Sequence, residues 1–342
     1  MVTIDLSAAG AKKAATRLRD FLSAAGIDLK QTHAYEALAR TLGYANWNTL
    51  QATLSTPGDS AEPKSAATMS VTFWGVRGSF PTPNHVIYGG NTSCVEIALG
   101  DTSLIFDAGT GIRFCGEAYL RRQTRSAVVL LSHCHWDHII GLSFFAPIQT
   151  EGWRVRVLAG GLADRGGVGA ILANAYAPGP TYPHPLKNWY AKDTTSYEDF
   201  EVGDVLTDVA PGVVIRTAAL NHQNGATGYR IEAGGKSVCY VTDTEHVPGK
   251  PDQNVLGLIK DADLVIYNAT FTDEEFPSKV GWGHSTWQEG VRLCKAANAK
   301  RLALFHHDPD HDDAFMARLE DEARNAWDGV IVARDSMVLD VN

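Results

Sequence analysis

Four side chains able to bind first-row metal ions fall within six residues in the run Ser132-His133-Cys134-His135-Trp136-Asp137-His138. Imidazole nitrogen and carboxylate oxygen suit zinc and similar cations. The run follows the apolar stretch 128–131, which reads as a buried strand. A turn at the carboxyl end of a strand aims alternate side chains into a cleft, so this segment is expected to hold metal. Capping residues plus satisfied core histidines are the plainer explanation, but they leave the complete H-x-H-x-D-H spacing unaccounted for. Divalent cations in such a site activate water and take up developing negative charge, which is the chemistry of a hydrolase.

Positioning these residues requires strands that end at one place. From residue 71 onward, short apolar runs, often β-branched, stop at glycine or polar residues: 71–74, 94–99, 104–106, 128–131, 155–158, 213–217, 238–241, 264–267 and 302–305. Helical patterns occupy 286–297 and 314–326. Two sheets with outer helices account for this order. Upstream, residues 1–54 read as a small all-helical module. Ala14, Leu18, Phe21, Leu22 and Ala25 recur at helical spacing before Gly26; a second helix runs through Tyr35, Leu38, Ala39 and Leu42 to Gly43; a short third carries Trp47 and Leu50. Residues 55–69, rich in Pro, Ser and Ala, read as a linker, leaving 70–342 as the main domain. The Pro- and aromatic-rich stretch 176–186 is either a rigid surface connection or a lid.

The formal net charge of −9 repels phosphate backbones, although bound cations would reverse the field locally. Five scattered cysteines with no CxxC spacing argue against a disulfide framework and a cysteine zinc cluster. The N-terminal stretch lacks an apolar signal region, and no stretch is long enough to span a bilayer, so a cytoplasmic location is expected.

Over roughly 71–341 the chain resembles the metallo-β-lactamase superfamily. Besides the histidine run, Leu104-Ile105-Phe106-Asp107-Ala108-Gly109 is similar to the family's strand ending in aspartate. His222, Asp243 and His306 each follow an apolar run in the family's order. The resemblance implies an α/β (α+β) fold, an αββα sandwich, with two divalent metal ions, zinc first and manganese second. It implies that His133, His135 and His222 bind one ion, that Asp137, His138 and His306 bind the other, and that Asp243 bridges them. Spacing alone does not choose between His306 and His307; the family position implies His306. Asp107 is either a partner of a ligand histidine's ring N–H or a turn-forming residue. A glyoxalase II-type thioesterase shares this ligand set.

The surroundings resemble ribonuclease Z and its small phosphodiesterase relatives. His222 leads into Gly228-Tyr229-Arg230, Asp243 is followed by Thr244, and Gly283-His284-Ser285 is similar to the motif of an additional catalytic histidine. His284 and Asp137 are therefore the expected catalytic side chains. Ser285 and Gln288 have capping-box spacing, which places His284 before a helix N-terminus, where it would stabilise charge at phosphorus or protonate the leaving oxygen. Where ribonuclease Z has His-Glu-Ala-Thr, this chain has Tyr267-Asn268-Ala269-Thr270, so Asn268, or else Asp273, Glu274 or Glu275, is left to orient His284. Many ribonuclease Z enzymes insert a tRNA-clamping arm before the Asp-Thr pair; here Ala233-Gly234-Gly235-Lys236 reads as a hairpin. With the acidic charge, this gives the expectation of a small phosphodiester such as a cyclic nucleotide and not a long nucleic acid. Phe73 to Ser79 and Tyr88 to Ser93 resemble a bacterial cyclic-nucleotide phosphodiesterase-like subgroup, in which Arg77 is either a phosphate contact or a surface arginine. The N-terminal helices resemble a small module found beside glyoxalase-like domains, which implies partner or homodimer packing. A thioester or lactone hydrolase, and a non-catalytic metal-stabilised sensor, are the rival readings.

Overall fold

A computed structural model describes residues 8–24, 27, 29–41, 47, 69–100, 102–179, 186, 189 and 191–341. The chain divides into two compact units, Met1–Lys64 and Ser65–Asn342. In the first, α1 (Ala8–Ala24) and α2 (Gln31–Thr41) meet through Ala11, Ala15, Ala34 and Leu38. Alanines let the helices approach closely, and Tyr35 stacks on Trp47 at 4.4 Å between ring centroids. Leu50 of the expected third helix lies outside the described residues, as do most of the linker and part of the 176–186 stretch.

The second unit is a sandwich of two seven-stranded sheets. The first runs, in spatial order, β14 (Val338–Val341), β1 (Met69–Gly75), β2 (Cys94–Leu99), β3 (Thr102–Phe106), β4 (Ser126–Leu131), β5 (Arg154–Gly160) and β6 (Thr195–Phe200). The second runs β13 (Val330–Val332), β12 (Leu302–Phe305), β11 (Leu264–Asn268), β10 (Lys236–Val241), β9 (Ala226–Ala233), β8 (Val214–Leu220) and β7 (Val205–Leu206). Their inner faces share one core, with Phe73, Ile97 and Phe106 of the first sheet packed among Ile231, Tyr240 and Phe305 of the second. The outer faces are covered by α3 (Ile112–Leu120) and α5 (Gly167–Ala175) on one side. On the other lie α6 (Gln253–Ile259), α7 (Trp287–Ala296) and α8 (Asp313–Ala326). A four-residue helix, α4 (Trp136–Ile139), lies within the histidine run.

Most apolar runs became strands. Met69, read as linker, opens β1; it is buried and pairs with both Val341 and Leu99. The edge strands β6, β7, β13 and β14 carry polar or short segments and lacked the buried-strand signature.

Strand direction places the site. β3 and β4 are parallel, as are β10, β11 and β12. β9 is antiparallel to both β8 and β10, so β8 runs with β10. Within each sheet, therefore, these strands end on the same side. Gly234 and Gly235, both at positive φ, make the tight β9–β10 turn, as the hairpin reading expected.

Candidate metal centre

Each candidate ligand sits where one of these strands stops: His133 to His138 after β4, His222 after β8, Asp243 after β10, and His306 directly after β12. Asp243 is buried and faces two ways. Its Oδ2 lies 3.6 Å from His133 Nε2 and 3.4 Å from His222 Nε2. Its Oδ1 lies 3.4 Å from His138 Nε2 and 3.1 Å from His306 Nε2. His135 joins the first set through Nδ1, 3.0 Å from His222 Nε2. Asp137 Oδ2 joins the second, 3.3 Å from His138 and 3.4 Å from His306. Two groups of donor atoms thus flank one carboxylate.

The ring orientations are fixed from behind. Asp107 Oδ2 accepts from His138 Nδ1 at 2.7 Å, which fixes the proton there and turns the Nε2 lone pair into the site. The same carboxylate accepts from Ser132 N and Oγ and from Tyr240 OH, so it is held in turn. His222 Nδ1 donates to Gly283 O at 2.8 Å. Gly283 is required there, since a Cβ would lie 2.3 Å from that Nδ1. Ser79 N donates to Asp137 Oδ2 at 2.8 Å. Asp107 and His306 both adopt positive φ, near 61°, as the first residues beyond their strands. Non-glycine residues there cost ~1–2 kcal/mol, a strain typical of functional positions.

The donor set fits metal ions. His133 Nε2, His138 Nε2 and His306 Nε2 are buried and make no hydrogen bond, although each lies near a carboxylate oxygen. Buried polar atoms left so are costly unless a cation takes their lone pairs. The electrostatics agree. Burial opposes the Asp243 anion, yet His306, His138 and His133 hold its carboxyl well below the usual range. Burial likewise opposes a charged His138, but Asp137, Asp243 and Asp107 together raise its pKa well above the ordinary value. Burial, and for His133 the neighbouring imidazoles as well, lowers the pKa of His133, His135 and His222, so this group presents neutral rings with lone pairs available.

Residues 102–307 match the family described as "Beta-lactamase superfamily domain". The chain belongs to this superfamily. Residues 2–76 match a second family, described as "Glyoxalase superfamily protein". Among superfamily relatives, the ribonuclease Z of Haloarcula marismortui is 26% identical over 313 residues, covering 79% of this chain and 96% of its own. The metallo-β-lactamase fold protein YhfI of Bacillus subtilis is 22% identical with a TM-score of 0.61, covering 80% and 99% of the two chains. The short form of human tRNase Z is 21% identical with a TM-score of 0.55, again over 80% and 99%. These relatives overturn the expectation that a long nucleic acid is disfavoured, since a protein matched along nearly its whole length bears the name ribonuclease Z. Net charge acts at a distance, whereas cations and local side chains set the field inside a superfamily centre.

His284 stands at the rim of this superfamily centre, its Nδ1 3.9 Å from Asp243 Oδ2. Asn268 orients it. Asn268 Oδ1 accepts from Ser285 N, which can only donate, so the amide Nδ2 faces His284 Nδ1 at 3.2 Å. The neutral ring therefore carries its proton on Nε2. Burial pushes its pKa down to about 3. Asp273 and Glu275 do not take the orienting role: they pair with Arg292 and His311. The helix cap is shifted by one residue from the expected box, with Thr286 Oγ1 accepting from Glu289 N.

One expectation is corrected. Arg77 is neither a phosphate contact nor a surface residue. It is fully buried, and its guanidinium donates to Gly89 O, Asp308 O and His311 O, stapling loops beside His306. His307 turns from the centre and bonds Ala333 O through Nε2 at 2.8 Å; burial pushes its pKa down to about 3. Sequence reasoning missed Tyr240, Ser132 and Thr270. Thr270 Oγ1 donates to His306 O at 2.8 Å. Gly78 also went unnoticed, packed so close that a Cβ would lie 2.4 Å from the His306 ring.

Proposed function

We propose that this metal-dependent hydrolase cleaves phosphodiesters of nucleotide type. In this reading His133, His135 and His222 hold one cation, Asp137, His138 and His306 hold a second, and Asp243 is shared. The observation that supports it most is the two-sided placement of Asp243 between two groups of imidazole nitrogens, three of which (His133, His138 and His306 Nε2) are buried without a hydrogen bond. A donor set of five histidines and two carboxylates favours zinc, with manganese second. When bound, such ions activate water and neutralise phosphoryl oxygens.

The chain's own groups supply orientation. Asp107 and the Gly283 carbonyl fix the His138 and His222 rings. His284, its Nδ1 3.9 Å from Asp243 and occupied by Asn268, keeps its proton on Nε2, a hydrogen-bond donor for a charged oxygen. That donor favours a diester over the thioester alternative, because a thiolate leaving group needs no such partner. Cyclic nucleotides are the first small substrates to try. Bis(p-nitrophenyl) phosphate and 3′,5′-cyclic AMP should be hydrolysed, with turnover lost to a chelator and restored by zinc or manganese. Hydrolysis of a glutathione thioester with neither diester cleaved would replace this reading.

Every proposed ligand lies beyond Lys64. A chain begun at Ser65, which keeps all of β1, should therefore retain diester turnover within about twofold of full length. A folded, metal-loaded truncation without turnover would show that the helical unit completes the site.

A further inference from the structure

A cavity of about 240 Å³ opens directly off the centre on the side of His133 and His135. Its other walls are Cys134, Leu162, Arg165, Ile171, Asn224 and Gly225. This exceeds what a scissile phosphate needs; at ~30 Å³ per water in the liquid it corresponds to roughly eight waters. One cation lies in its wall. Arg165 forms no ion pair with a carboxylate among the described residues, unlike Arg156, Arg292 and Arg334, each of which has one.

The arginine is carried on an ordered turn. Arg165 N and Gly167 N both donate to Leu162 O, Leu162 is buried, and Val168 N is anchored by Asp199 Oδ1 at 2.8 Å. Gly166 and Gly167 take positive φ, which lets the chain reverse there. The opposite wall is the turn after His222, with Asn224 at positive φ and Gly225 N donating to His222 O. A planar guanidinium at the mouth of a cavity shared with two metal-ligand candidates is suited to a phosphate in bidentate fashion. Cations held by the candidate ligands would serve the scissile phosphate, which leaves the arginine for a second anion.

We propose that Arg165 and this cavity bind a second phosphate flanking the scissile one, so that linear diesters bearing such a group are preferred over cyclic mononucleotides, which lack it. The proposal rests on the phosphodiesterase reading above. The test uses two probes that differ only in that group: thymidine 5′-(p-nitrophenyl phosphate) and its 3′-phosphorylated counterpart. Both release p-nitrophenolate. The full-length, metal-loaded protein should favour the 3′-phosphorylated probe by about tenfold or more in kcat/KM, mainly through KM. Arg165→Ala should bring the ratio between the probes to about one, and Arg165→Lys should leave an intermediate ratio. A wild-type ratio near one, or an undiminished ratio in Arg165→Ala, overturns the assignment while leaving the phosphodiesterase reading intact. Failure of the wild-type protein to cleave either probe or bis(p-nitrophenyl) phosphate overturns both.

Discussion

Asp243→Ala is expected to abolish nearly all turnover and to reduce bound metal from two ions per chain to one or none. Asp243 presents one oxygen to each histidine group, at 3.1 to 3.6 Å, and among the described residues no other carboxylate approaches both groups. Loss of groups that only support a ligand costs ~10–100-fold in metal affinity or activity, and removal of a shared ligand should exceed that. The fold should persist, because both sheets and their shared core form without this side chain. Metal analysis, circular dichroism and assay with bis(p-nitrophenyl) phosphate give the three readouts. A variant retaining two ions and substantial turnover would refute the shared-ligand assignment.

His284→Ala is expected to keep its metal and lose rate. Loss of a proton donor or acceptor at the reacting group typically costs ~10²–10⁴. The Asn268 amide leaves the proton on Nε2, and burial disfavours the imidazolium, so the ring would act as a neutral donor to charge on the departing oxygen. The loss should therefore be large for a ribose hydroxyl, where charge localises on oxygen. It should be smaller for p-nitrophenolate, which delocalises it. With the pKa near 3, His284 should add no ionisation limb to the rate profile between pH 5 and 8. Equal losses on both substrates would mean that His284 only binds phosphate. Loss of an ion would make it a ligand, which its proximity to Asp243 and His306 allows geometrically.

The candidate ligands were legible because each follows an apolar run, even though the run before His222 is broken by Arg216 and Thr217. Buried strands have a continuous signature, and the residue that breaks it marks the sheet edge. What surrounds the ligands was less legible. Tyr240 sits within the apolar run of β10, indistinguishable there from core, yet its hydroxyl reaches Asp107 across 133 residues of sequence. Arg77, beside Gly78, looks like turn surface; what buries it is a set of carbonyls up to 234 residues away. Arg165 lies in a glycine-rich turn and carried no signal, since its significance depends on a cavity built by other segments. The edge strands β6, which is polar, and β14, only four residues long, escaped notice because only one neighbour and one face constrain them.

Each proposed ligand trio draws on both layers of the sandwich. His133 and His135 follow a strand of one sheet and His222 a strand of the other; Asp137 and His138 likewise face His306 across the gap. A cation held this way is a non-covalent cross-link between layers, and it binds the folded chain in preference to the unfolded one. Such a ligand adds free energy that grows with the logarithm of its free concentration, ~2.7 kcal/mol at a hundred times its Kd. The durability of the fold is therefore not a constant of the sequence alone: it rises and falls with the supply of metal around it.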